Sequence, residues 1–231
     1  MNKHYSNKYI LIYSFTLILF LTTFLALLVN FLKPIYEYNK KIEKYQNILF
    51  SVGIRVPKDS VEEYFLKYVK KSYVINYLGD TIPDINAFNV NVGEEVKKDI
   101  KDRLLPIFEA EIDGKQKYII PLYGKGLWGP IWGYISIDED RNTVYGCYFD
   151  HKSETPGLGA EINKQYFQEK FIGKKIFDFN NYFIGIKVVK GNIINTDHEV
   201  DGIAGSTMTC IGLSQMLENC LIAYKNFFQK K

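Results

Sequence analysis

The sequence predicts an α+β domain, a mostly antiparallel sheet with flanking helices, carried behind a single N-terminal transmembrane helix. Three observations predict it. The 24 residues from Tyr9 to Leu32, YILIYSFTLILFLTTFLALLVNFL, hold no charge. Short β-type segments in the middle of the chain turn around Asp113-Gly114 and around the polar run Asp138–Asn142. Helical patterns flank these segments at both ends instead of alternating with them, which favours α+β over α/β. At 231 residues, 47% apolar and 16% aromatic, the chain has material for one sizeable domain plus an appendage. With 29 basic and 26 acidic residues there is no dense basic tract, so no nucleic-acid partner is expected.

Taken in order, residues 1–32 form a tail and the span. About 20 apolar helical residues cross a bilayer core. A cleaved signal peptide has a shorter apolar run and a small-residue cleavage site, whereas KPIYEYNKK follows here. A retained anchor is expected. Lysines are fewer before the span (Lys3, Lys8) than after it (Lys33, Lys40, Lys41, Lys44), which leans towards a cytoplasmic domain. Long domains translocate largely regardless of such charges, so charge does not settle the side.

Residues 33–56 read as a helical stalk, with Ile42, Tyr45, Ile48 and Leu49 at helical spacing and Gly53 ending it. The soluble domain then covers 57–231. Ser60 and Glu63 have capping-box spacing, and Val61, Phe65, Val69 and Tyr73 share a face, predicting a helix from Val61 to Ile75. Two hairpins follow, the first around Asp113-Gly114. A short helix is expected over Glu161–Phe167, and NYFIGIKVVKGNIIN supplies a further strand ending near Gly191. Leu213, Leu217, Cys220, Leu221, Tyr224 and Phe228 mark an amphipathic helix from Thr207 to Phe228.

Three stretches carry candidate chemistry. DGIAGSTMTC (Asp201–Cys210) sits at the start of that last helix, where unpartnered N–H groups and the helix dipole favour an anion. Gly202 and Gly205 bare the backbone, and Ser206, Thr207 and Thr209 offer hydroxyls to a phosphate. A plain helix cap after a glycine turn is the alternative. In HKSETPGLGAEI (His151–Ile162), Pro156 fixes the backbone, and Gly157 and Gly159 permit positive φ. Glu154, Thr155 and Leu158 there suit an aromatic heterocycle with a polar edge, against the alternative of a simple turn. In PLYGKGLWGPIWGYI, Trp128 suits ring stacking, core packing or an interface anchor. Cys147, Cys210 and Cys220 lack metal-ligand or iron–sulfur spacing and allow at most one disulfide. No metal site is expected, and no G-x-G-x-x-G fingerprint follows a strand.

On GKGLWGPIWGYI, HKSETPGLGAEI and DGIAGSTMT, the chain resembles the C subunit of the sodium-translocating NADH:quinone oxidoreductase of bacteria over nearly its whole length. The resemblance implies an FMN-binding domain whose flavin phosphate is esterified to a threonine. Thr209 is the matching position, within Ala204-Gly205-Ser206-Thr207-Met208-Thr209. Ala204 and Ser206 depart from the commonest motif by small-for-small exchange. The resemblance also implies that Glu154, Thr155 and Leu158 line the flavin, and that a dedicated flavin transferase attaches it from FAD. It places the chain in the bacterial inner membrane, with its domain on the extracytoplasmic side. There it would be an electron relay between NADH and ubiquinone or menaquinone, working with the other subunits and holding no catalytic residue of its own. A sister family, the G subunit of the ferredoxin:NAD oxidoreductase complex, shares the threonine motif and ETPGLG, but GLWGPIWGY is similar to the quinone-reductase branch. A flavin-free, membrane-tethered assembly or binding module is the reading from another class. The span holds no carboxylate to suggest a sodium site.

Overall fold

The computed structural model of the chain describes residues 6–230, and its two compact units divide between Lys44 and Tyr45. The first unit belongs to helix α1 (Asn7–Ser51), which is long and apolar enough to cross a membrane. Its threonine hydroxyls are satisfied within the helix. Thr16, Thr22 and Thr23 donate to the carbonyls of Ile12, Ile18 and Leu19, four residues back, at 2.7–2.9 Å, which suits hydroxyls surrounded by hydrocarbon.

The second unit begins with the last turns of α1. Gly53, at φ +77°, ends the helix. Its N–H donates to Phe50 O and that of Ile54 to Leu49 O, a Schellman closure. Next come α2 (Val61–Tyr68) and β1 (Val69–Ile75). The helix expected over Val61–Ile75 is therefore half strand, and the capping box is not formed, because the Ser60 side chain makes no cap bond. Val69, Tyr73, Val74 and Ile75 are strand formers, and pairing with β3 (Leu105–Ile112) from Val69↔Ala110 to Ile75↔Leu105 outweighs a helical face of moderate strength.

With β2 (Thr81–Ile82), β4 (Lys115–Lys125), β5 (Pro130–Ile137) and β6 (Val144–His151), these strands form an antiparallel sheet in the order β2-β1-β3-β4-β5-β6. Both sequence-predicted hairpins are present. Asp113 and Gly114 hold φ of +51° and +74°, as a two-residue type I′ turn demands. Alternation sends Ile107, Ile120, Leu122, Ile135 and Phe149 to one face, where they pack with Leu213, Met216, Leu217 and Leu221 of α5 (Thr207–Leu221). On the opposite face Phe108 meets Phe88 (4.8 Å between rings), which meets Phe65, stacked in turn on Tyr45 at 3.9 Å. The Ser136 hydroxyl donates to Ser51 O there at 2.6 Å.

The remaining elements are short: α3 (Val92–Glu95), α4 (Gln165–Gln168), β7 (Lys187–Val189), β8 (Glu199–Asp201) and α6 (Lys225–Gln229). The helix expected over Glu161–Phe167 is a 3-10 turn, Gly159–Asn163, parted from α4 by extended Lys164. The strand expected up to Gly191 is only β7, paired in parallel with β8 outside the main sheet. Gly185 and Gly191, at φ +73° and +99°, bracket it. The final helix keeps its apolar face, but a 3-10 turn at Ile222–Tyr224 separates α5 from α6.

Candidate functional site

The site lies where β4 ends, β5 begins and β6 ends, against the first turn of α5. Two glycines let that helix approach the sheet. A Cβ on Gly212 would stand 2.2 Å from Lys125 O, and one on Gly124 would stand 2.6 Å from the Met216 side chain. Gly205, at φ +77°, turns the chain into α5. The β4–β5 connection closes through Gly126 N–H donating to Gly129 O at 2.8 Å.

Glu154 is the centre of the arrangement and is buried. Its Oε1 accepts from the main-chain N–H of Trp128 at 2.8 Å, and its Oε2 accepts the Thr209 hydroxyl at 2.6 Å. Its own N–H donates to His151 Nδ1 at 3.2 Å, so the proton of that imidazole resides on Nε2. Glycines wall the carboxylate in. A Cβ at Gly126 would lie 2.5 Å from Oε1, and one at Gly159 would lie 2.5 Å from both Oε2 and Thr209 Oγ1. The buried side-chain atoms without a partner among the described residues are Ser206 Oγ and His151 Nε2, both at this end of the sheet. Orphaned buried polar atoms are rare and mark a place where a partner is missing.

Of the residues singled out in the sequence, Thr209, Ser206, Gly205, Glu154 and Leu158 are brought together. A Cβ on Gly205 would touch the Leu158 side chain at 2.9 Å. Trp128 joins through its amide, while the residue as a whole is 66% exposed. Thr207 and Thr155 face solvent, although the Thr155 carbonyl accepts from Leu158 and Ala160 N–H. Gly202 packs near the Cys210 sulfur, away from Glu154. Gly157 adopts positive φ, +74°; Gly159 does not, and serves instead as the point of close approach. Gly126, His151 and the Trp128 amide were missed. The density of glycines in GKGLWG was the available signal, whereas a main-chain donor leaves no trace in side-chain chemistry.

Leu127, Trp128, Leu158, Met208 and Ile211 are exposed on the elements around the hydroxyl cluster. A separate cavity of about 440 Å³ lies further along α5, lined by Tyr123, Lys125, Pro130, Gln215 and Met216, and reached by neither Glu154 nor Thr209. No metal-ligating cluster occurs among the described residues. The three cysteines are free and buried. Burial raises all three thiols, that of Cys220 to about 11.

A hydroxyl-rich helix start beneath a glycine-lined carboxylate, in a domain behind an apolar helix, defines the class, and residues 126–222 match the FMN-binding domain family. The chain is 30% identical over 198 residues to the C subunit of the Na(+)-translocating NADH-quinone reductase of Haemophilus ducreyi, covering 79% of this chain and 77% of that one. Its structure matches the crystal structure of the same reductase's C subunit from Parabacteroides distasonis with a TM-score of 0.81 and 39% identity, over 87% of this chain and 98% of that one. The NqrC structure from Shewanella oneidensis matches with a TM-score of 0.70 and 29% identity, over 83% and 98%. The chain belongs to the family formed by the C subunits of Na(+)-translocating NADH-quinone reductases.

Proposed function

We propose that this chain carries FMN, joined through its phosphate to the Thr209 hydroxyl, as an electron-relay subunit of a membrane Na+-translocating NADH:quinone reductase. The observation that carries the reading is the pair Ser206 and Thr209 at the start of α5: the Thr209 hydroxyl faces a carboxylate, and that of Ser206 is buried without a partner among the described residues. Ser206 makes no cap bond, so its hydroxyl and the first N–H groups of α5 are available to phosphate oxygens. A lysine is not required, because the helix dipole offsets part of the charge. These residues fit a phosphorylated cofactor.

Bound FMN would supply one- and two-electron redox chemistry. Leu158, Met208 and Trp128 would offer apolar contact to its ring and limit water there. Attachment through the phosphate leaves the ring chemically unaltered and prevents the cofactor from diffusing away. Helix α1 would hold the domain at the bacterial inner membrane, on the extracytoplasmic side, beside the other subunits. A flavin transferase would complete the chain.

The test is intact mass and in-gel fluorescence of the full chain made with a flavin transferase. One covalent FMN is expected, and none in Thr209→Ala. An unmodified wild-type chain would sink the reading and leave a flavin-free tethered module.

A further inference from the structure

We infer that Glu154 is the group that takes the proton from Thr209 when the threonine is esterified, so that the acceptor protein supplies its own base. The inference rests on the attachment reading above and deepens it. A threonine hydroxyl is scarcely ionised at neutral pH, and its attack on phosphorus needs a proton acceptor within hydrogen-bond reach. Glu154 Oε2 is that acceptor, at 2.6 Å from Thr209 Oγ1.

Three features suit it to the task. The second carboxylate oxygen is held by the Trp128 amide at 2.8 Å, which fixes the orientation of the first. Among the described residues no cation forms a salt bridge with Glu154. The bare Gly126 and Gly159 leave room for the carboxylate and for nothing larger. Thr209 is only 2% exposed, with Gly159 packed against its hydroxyl. Glu154 is tied to the separate loop at Trp128.

The balance is simple. The co-reactant is a flavin adenine dinucleotide. Thr209 Oγ forms a bond to the phosphorus bearing the flavin, the pyrophosphate P–O bond breaks, and adenosine monophosphate leaves. The hydroxyl proton passes to Glu154 Oε2, and no atom changes oxidation state.

The experiment uses the full-length, unmodified chain in detergent, with excess purified flavin transferase and FAD, following adduct formation by intact mass over time. Glu154→Gln keeps the shape and can still accept from Trp128, yet cannot take the proton; its rate is expected to fall about 100-fold. Glu154→Ala, checked for an unchanged fold by circular dichroism, should be slow and should recover with added formate, a small carboxylate that fits the vacated space. If Thr209→Ala still gains flavin, the attachment reading itself is wrong. If Thr209→Ala stays bare while Glu154→Gln reacts at the wild-type rate, only the proton-acceptor role is overturned. A slow Glu154→Ala chain that formate does not rescue would also overturn it, leaving Glu154 a positioning residue.

Discussion

At one end of the sheet, the β5–β6 turn is fully partnered, with Arg141 donating to Phe227 O and Asn142 exchanging hydrogen bonds with Ile176 and Phe177. The Asp140 carboxylate accepts from the N–H groups of Asn142 and Thr143 and from the Thr143 hydroxyl, at 2.6–2.9 Å. Buried Lys117 meets Asp138 at 2.5 Å. At the other end, the two partners of Glu154 lie 26 and 55 residues away in the chain, and two buried polar atoms find none. The same strands thus end in two ways. Among the described residues, the turn end leaves no buried side-chain polar atom without a partner; the other end leaves hydrogen-bonding capacity free, and that capacity is what a ligand can use.

The comparison breaks most decisively at Thr209. Thr209→Ala should abolish the covalent adduct while the chain remains folded, read by mass and by circular dichroism. Gly159→Ala comes next. Its new Cβ would press on both oxygens of the Glu154–Thr209 bond, costing about 1–3 kcal/mol in denaturant unfolding and much of the adduct. Asp138→Asn probes the turn end. It leaves Lys117 buried without its counter-charge, at a cost of about 2 kcal/mol, softened because Asp138 is partly exposed, and adduct formation should be unchanged. An adduct defect there would dissolve the contrast between the two ends.

Ser206→Ala is smaller and changes sign. In the unmodified chain it removes an unpartnered hydroxyl and should stabilise by up to about 1 kcal/mol. In the flavin-loaded chain it should destabilise, having lost a donor to phosphate. The smallest effect expected is none. The buried thiols of Cys147, Cys210 and Cys220, all raised by burial, should resist maleimide in the folded chain at about pH 8 and react only after denaturation. Thiol labelling is therefore a poor reporter of membrane side for this domain.

Much of the fold is legible in one dimension. An uncharged run long enough to span a bilayer, a glycine turn between alternating segments and a 3.6-residue apolar stripe each act over a few neighbouring residues, and all three are present as expected. The errors fall where two local preferences compete. Val69–Ile75 has both a helical face and strand-forming side chains, and only the availability of β3 chose between them. Lys187–Val189 was a strand by composition, but its partner, β8, could not be known from its own sequence.

The site divides in the same way. Residue types in the first turn of α5 already speak of an anion, because helix termini and hydroxyls act locally. The choice of Thr209 over Thr207 as the buried hydroxyl, the placing of Glu154 against it and the use of the Trp128 amide belong to the tertiary structure. Those contacts depend on how closely α5 can lie on β4, a distance governed by bare glycines at Gly124 and Gly212. Sequence alone determined which groups were on offer; packing decided which of them meet, because hydrogen bonds form across a few ångströms of space rather than along the chain.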